Sequence, residues 1–537
     1  MEKANKKGSF IKQAAILAGA GMLVRFIGFL YRPPMTALIG DTGNAIYGAG
    51  YQVYNLLLIL SSAGLPAAIG KMVSERIALK QYKNAHRVFR VAFAISGSLG
   101  FLFMLIMFLF AKPIAVNICK IPDAYYTLIS LAPTIFIVAV MSAFRGYFQG
   151  MNTMVPTAFS QIVEQMFNAF FSVFLAWVLV KQSVALGAAG GTLGTGIGAL
   201  AGLLVVLFAY FLIKPDVHRR MKREDPRIVQ ESSVYLGKVL ISTAMPIIIG
   251  TAIYSITNLA DMSMVMGRLL DSGAFTSEQA EVLYGQLQGK FVVLTTLPVA
   301  ISTSIATAAI PNIAASVALK DTESVNRKIT TAIRISMIIS IPSAIGMGVL
   351  ADQILKMLFP VTPDGGGLLK VGAVAVIFLA LSQIVTGTLQ GIGHFKVPAI
   401  NAVFGAIVKI VLNYFLIVIP FINVYGAVLS TIGCYIVASL LNLRKLVKIT
   451  HIRPNYISII WKPIAASAAM GVCCYFSYQL FFNFTQSNAV STLIAILLGM
   501  AVYGVIMLLI QGITREDIKL LPMGNKINGL LDSIGFQ

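Results

Sequence analysis

The chain has 537 residues, of which 57% are hydrophobic and 11% charged, with 41 Lys+Arg against 20 Asp+Glu and a formal net charge of +21. So apolar a composition excludes an ordinary soluble domain and points to an all-α protein that crosses a membrane many times. The positive balance could suggest nucleic acid as a partner, but the basic residues fall in alternate loops, which is a mark of membrane topology instead.

Charge-free runs and runs broken by single charges give about fourteen spans, near 11–39, 44–70, 89–111, 125–147, 156–180, 186–213, 237–266, 290–317, 328–351, 368–391, 397–419, 425–446, 459–481 and 489–511. Basic residues crowd one set of loops: Lys3, Lys6, Lys7 and Lys12; Lys71 to Arg90; Lys214 to Arg227; Lys320 to Lys328; Arg444 to Arg453; Arg515, Lys519 and Lys526. By the positive-inside rule both termini are cytoplasmic, and the basic loops can interact with anionic lipids. No small-residue cleavage site follows the basic amino terminus, so the first apolar run is expected to be retained as span 1.

Span 1 carries Arg25 and Arg32. Seven residues advance a helix by almost two turns, so both guanidinium groups project from one face, roughly 10 Å apart along the axis. An arginine near the bilayer centre costs about 2.5–3.5 kcal/mol, so two on one stripe suggest a water-filled cavity and an anionic ligand. The alternative is one arginine snorkelling to an interface and the other paired with a carboxylate.

Span 4 ends in Phe148-Gln149-Gly150 ahead of Pro156, and span 10 ends in Leu389-Gln390-Gly391 ahead of Pro398. This weak repeat, six spans apart, predicts two six-helix lobes of the same orientation. Residues 1–231 are then the N-lobe with its linker, 232–450 the C-lobe, and 451–537 two further helices with a cytoplasmic tail. In span 5, Glu164 reads equally as a structural ion pair or as a coupling site for a monovalent cation. Span 6 holds Gly187, Gly190, Gly191, Gly194, Gly196, Gly198 and Gly202, a spacing that favours close helix packing over ligand contact. The stretch Lys214–Glu231 reads as a polar linker.

Asp261 in span 7 is a coupling candidate or an interfacial partner of Arg268 or Lys290. Lys290 opens span 8, and Lys409 with Asn413 forms a polar stripe in span 11, one turn apart. Lys290, Lys409 and Asn413 join Arg25 and Arg32 as substrate-binding candidates. From residue 463 to the end of span 14 the chain carries no formal charge, so spans 13 and 14 suit lipid, a lipid chain or simple packing.

Cys119, Cys434, Cys473 and Cys474 lie in or beside apolar runs without metal-ligand spacing, so neither a disulfide nor a metal is expected. The histidines His86, His218, His394 and His451 fall in expected cytoplasmic loops, and no Walker-type loop occurs. No cofactor and no enzymatic activity are expected. Transport would run on the membrane potential or on a monovalent cation.

Thr388-Leu389-Gln390-Gly391-Ile392-Gly393 with Pro398, Gly405-Ala406-Ile407-Val408-Lys409 running into Asn413-Tyr414, and Leu283-Tyr284-Gly285-Gln286-Leu287 with Gly289-Lys290 resemble the polysaccharide-biosynthesis branch of the MOP exporter superfamily. The likeness extends over essentially the whole chain. Within that branch it is similar to the stage V sporulation protein B and YtgP group, which includes MurJ-type lipid II flippases. The resemblance implies a V-shaped two-lobe fold that alternates access and carries an undecaprenyl-diphosphate-linked saccharide from the inner to the outer leaflet; separately, a monomer is expected. It places Arg25 and Arg32 on the cationic pair of the first helix and Lys290 near a basic position of the eighth. The MurJ pattern also has an arginine in the second helix, where Leu56-Leu57-Leu58-Ile59-Leu60 offers none. A multidrug extruder of the same superfamily would favour acidic residues for organic cations, and a membrane glycosyltransferase would need a larger external loop than 271–281.

Overall fold

In a bilayer every backbone N–H and C=O must be paired internally, and the computed structural model meets that demand with helices alone, with no strand among the described residues. The structure describes residues 16–17, 19–394, 396–452 and 457–512, side chains excepted at 307, 308, 311, 312, 315 and 318. Lys3, Lys6, Lys7, Lys12, Arg453, Arg515, Lys519, Lys526 and the tail that holds the last three lie outside the described residues.

In chain order the principal helices are α1 Gly19–Leu30, α2 Arg32–Ser62, α3 Leu65–Ala78, α4 Tyr82–Leu109, α5 Ala124–Gly150, α6 Val155–Leu179, α7 Val184–Lys222, α8 Ser233–Asp271 and α9 Ser277–Gln286. They continue with α10 Val292–Ala318, α11 Thr322–Val349, α12 Ala351–Leu358, α13 Gly366–Gly372, α14 Ala375–Gly391, α15 Lys396–Leu416, α16 Tyr425–Thr450, α17 Lys462–Thr485 and α18 Asn488–Leu509. Among the described residues, 12 stretches are long and apolar enough to cross a membrane, or 13 when α13 and α14, bent by 48°, count as one span. The short apolar α1 is what the structure describes of the first half of span 1. The protein is thus an all-α, multi-pass membrane protein close to the expected span count.

Spans 1 and 2 meet inside α2. Gly40 there adopts φ 68° and ψ −171°, which an L side chain rarely tolerates, so the chain reverses between the two expected spans. Across the turn Asn44 Nδ2 donates to Thr36 Oγ1 at 3.1 Å. The basic residues Lys71 to Arg90, expected in a loop, sit mostly on the ends of α3 and α4, which run on beyond the apolar core.

Two compact units are evident. The first comprises residues up to Gly289 with Val418–Phe421; the second comprises Lys290–Ile417 and residues from Ile422 onward. The first unit's core gathers Leu65, Ile69, Phe89, Phe144, Tyr147 and Leu240. Phe89 lies 4.6 Å from the Tyr147 ring and 5.2 Å from Phe144, spacings at which aromatic quadrupoles attract. Because Leu236, Leu240 and Ala244 of α8 enter this same core, the compact division falls at Gly289/Lys290. The second unit's core joins Ile313, Ile329, Ile333, Ile384 and Leu389 with Ile459.

The glycines of α7 serve close approach. A Cβ at Gly190 would stand 2.6 Å from the Leu175 carbonyl oxygen, and one at Gly198 2.5 Å from that of Glu164. The backbones of α6 and α7 therefore touch along this stripe, and Ser172 Oγ seals the contact by donating to the Gly191 carbonyl at 2.7 Å.

The repeat is visible in how helices end. After α5, Asn152 N donates to Gln149 O at 3.0 Å and Thr153 N to Phe148 O at 3.0 Å; after α14, Gly393 N donates to Gln390 O at 3.0 Å and His394 N to Leu389 O at 2.8 Å. Both are Schellman caps, with Asn152 and Gly393 in the left-handed region. The same pattern ends α3 and α10, where Gln81 N donates to Arg76 O, Asp321 N donates to Ser316 O, and Lys80 and Lys320 take positive φ.

The polar stretch 214–231 is only partly a loop, since α7 continues to Lys222. The remainder is clamped to the first unit. Arg76, 7% exposed, grips Glu231 through Nε–Oε2 at 2.6 Å and Nη2–Oε1 at 3.0 Å. Asn84 Nδ2 donates to Val229 O at 3.0 Å, and the Glu231 N–H donates back to Asn84 Oδ1 at 3.0 Å. Buried Glu224 accepts from the Lys83 N–H at 2.6 Å, placing a carboxylate on the positive end of α4.

Candidate functional site

The first unit's cations begin where the first helix breaks. Pro33 and Pro34 have no N–H, so the carbonyls of Phe29 and Leu30 lose their usual helical donors, and Tyr31 forms a turn between α1 and α2. Arg32 follows directly. Its guanidinium carbon lies 4.7 Å from the Tyr47 ring centroid and 5.5 Å from that of Tyr31, within cation–π range of both. The two tyrosine hydroxyls are 3.5 Å apart, and Tyr47 stacks on Tyr51 at 5.8 Å with an interplanar angle of 11°. Arg32 is half-buried in this cage. Arg25 sits on α1, exposed beside Met22 and Phe26, and so occupies a different environment from Arg32.

Glu164 lies close by. Gly28 of α1 faces Gln165, whose Nε2 would stand 3.2 Å from a Cβ at that glycine, and Tyr51 lies in the electrostatic range of both Arg32 and Glu164. Glu164 is paired: Arg145 Nη2 donates to its Oε2 at 2.7 Å while Arg145 Nε donates to Ser160 Oγ at 3.0 Å. That ties the end of α5 to α6. Asp261, also in the first unit, is buried on α8, and Tyr284 is within its electrostatic range; Arg268 pairs with Asp271 at 2.9 Å.

In the second unit Lys290 is 1% exposed, and its ammonium donates to the Asp364 carbonyl at 3.0 Å, bracing the turn before α13. Lys409 and Asn413 are buried on α15, where Asn413 Oδ1 accepts from Ser430 Oγ of α16. Asn401 Nδ2 reaches Asn442 Oδ1 at 2.7 Å along the same pair of helices. Of the sequence candidates, the structure therefore groups Arg32 and Glu164 in one neighbourhood, with Arg25 on the adjoining helix, and places Lys290, Lys409 and Asn413, all buried, in the second unit.

Sequence reasoning passed over Arg145 and the tyrosine cage. Arg145 lies near the end of span 4, where a basic residue looks like topology. For the cage a signal did exist: Tyr47, Tyr51 and Tyr54 recur at helical spacing. The second helix, which lacks an arginine, presents this aromatic ladder instead.

Residues 10–317 match the family described as polysaccharide biosynthesis protein, and residues 291–415 match MatE. Over 520 residues the chain is 26% identical to stage V sporulation protein B of Bacillus subtilis (strain 168), covering 96% of this chain and 98% of that protein. Over 509 residues it is 26% identical to the lipid II flippase MurJ of the same organism, covering 89% and 91%. Its fold matches a lipid II flippase MurJ in an inward closed conformation with a TM-score of 0.66 at 16% identity, over 93% of this chain and 98% of that one. An inward-facing multidrug resistance MATE family transporter also gives 0.66 at 16% identity, over 82% and 99%. With more than half of its length inside the first family match, the chain belongs to the polysaccharide biosynthesis protein family, within the MOP superfamily of transporters.

Proposed function

We propose that the protein is a flippase that carries an undecaprenyl-diphosphate-linked cell-wall precursor, lipid II or a related lipid-linked oligosaccharide, from the inner to the outer leaflet by alternating access. The observation that carries this reading is Arg32: a half-buried guanidinium on two tyrosine faces, in a neighbourhood whose carboxylate, Glu164, is held by Arg145. Such a cation is suited to a diphosphate, which arginine binds through paired, charge-assisted hydrogen bonds. Exposed Arg25, on the preceding helix, adds a second positive group. Glu164, the acidic group that an organic-cation extruder would use, is engaged by Arg145. The names of two relatives, one by sequence and one by fold, point the same way. A host depleted of its own lipid II flippase is expected to keep making peptidoglycan when this gene is supplied; arrest of incorporation despite normal membrane levels of the protein would exclude lipid II and leave the related oligosaccharides.

The reading includes an energy source. Moving one charge across the membrane is worth about 2.3 kcal/mol per 100 mV. Once the anionic headgroup has left on the outside, an inside-negative potential draws the emptied cationic site back toward the cytoplasm and so favours resetting. In reconstituted vesicles, flipping is expected to rise with an imposed potassium–valinomycin potential in the absence of sodium and proton gradients. A flat response across that series would remove the potential as the driver and leave a monovalent cation.

A further inference from the structure

Arg32 is held unlike other arginines of the first unit. Arg76 rests on Glu231, Arg145 on Glu164 and Arg268 on Asp271, each within 2.9 Å of a carboxylate oxygen. Arg32 instead faces the rings of Tyr31 and Tyr47. The difference matters because a carboxylate cancels the charge that it orients, whereas an aromatic ring attracts a cation through its quadrupole and carries no net charge. The cage also has its own support. Tyr31 and Tyr47 are 8% and 2% exposed, their hydroxyls are 3.5 Å apart, and Tyr47 is backed by Tyr51, which in turn lies 5.5 Å from Tyr54. The two caging rings come from opposite sides of the Gly40 turn, so reversal of the chain is what brings them onto one guanidinium.

We propose that Tyr31 and Tyr47 are positioning residues that hold the Arg32 guanidinium in a fixed orientation with its full charge available to a phosphate-bearing ligand. The inference rests on the anionic-headgroup reading given above. The rings pack against Arg32, with Tyr31 also hydrogen-bonded to it, and act through it; the remaining N–H groups are the ones to meet phosphate oxygens. A lysine would lose most of the benefit, because its compact ammonium lacks both the planar face that stacks and the fork that binds bidentately.

The test uses the full chain in lipid nanodiscs, titrated with undecaprenyl diphosphate. Arg32→Ala, which removes the phosphate contact itself, is expected to bind about a hundredfold more weakly, and Tyr47→Leu roughly tenfold, a loss within the range of one cation–π contact. Tyr47→Phe, which keeps the ring and loses only the hydroxyl, is expected to restore tight binding. In an Arg32→Ala background, Tyr47→Leu should weaken binding no further. Tyr31→Leu, on the other side of the guanidinium, repeats the comparison should Tyr47→Leu fail to fold. Undiminished binding by both leucine variants while Arg32→Ala is weak overturns the cage and leaves the anion reading standing. A Tyr47→Phe protein as weak as Tyr47→Leu, or a leucine effect that persists without Arg32, also overturns it, since packing would then be the cause. Undiminished binding by Arg32→Ala and Arg25→Ala alike defeats the anion reading itself.

Discussion

Arg25→Ala is expected to abolish transport while leaving membrane insertion intact or improved. Arg25 is an exposed cation on an apolar helix, flanked by Met22 and Phe26, both also exposed. Its removal relieves an insertion penalty of about 2.5–3.5 kcal/mol, so the variant should reach the membrane at least as well as the parent. What is lost is a charge-assisted contact to the headgroup, worth about 2–3 kcal/mol, or a fall of about a hundredfold in the affinity that drives translocation. Arg25→Lys keeps the charge without the bidentate fork and should recover only part of the activity. The measurement is headgroup accessibility in reconstituted vesicles, normalised to inserted protein. Parental rates from Arg25→Ala would take this residue out of the substrate path.

The second large effect is expected in the clamp that holds the stretch 214–231 to the first unit. Arg76→Ala strands Glu231 and removes a guanidinium that is only 7% exposed, and loss of one partner from a buried pair costs about 3–5 kcal/mol. The Glu231 side chain is 28% exposed, so solvent screening lowers the expected loss to about 2–3 kcal/mol. Glu231→Gln keeps an acceptor for the same N–H groups and should cost less than Arg76→Ala, with the double variant little worse than Arg76→Ala alone. Thermal unfolding of the detergent-solubilised protein checks this ordering. Strictly additive losses would show that the two side chains act independently.

Much of the architecture was legible in the sequence because it depends on local properties. Long apolar runs gave the spans, and the glycine spacing of residues 187–202 gave the close approach of α6 and α7. The candidate site was legible as a set of charges and much less as a set of partners. Glu164 could be seen to need a counter-ion, but Arg145 is nineteen residues away and becomes its neighbour only when α5 packs beside α6. Lys290 donates to a backbone carbonyl 74 residues later, and backbone acceptors leave no mark in composition. The aromatic cage escaped for a similar reason: Tyr31 and Tyr47 are separated by a turn whose geometry rests on one glycine. The packing boundary differs from that of the repeat because apolar residues on α8 fill the core of the first unit, and periodicity shows that a face is apolar without showing what covers it.

The matched caps at Lys80 and Lys320 and at Asn152 and Gly393 bracket segments whose contour lengths agree to within one residue. Yet the first segment finishes in the single helix Ala124–Gly150, while the second finishes in two pieces bent by 48°. The bend therefore owes nothing to extra chain. It falls at Ala373 and Val374, the break between Gly366–Gly372 and Ala375–Gly391, so sequence alone has converted one strut into a jointed one. The two halves are equal in reach and unequal in stiffness, and a load applied alike to both would be carried by the first and absorbed at the joint of the second.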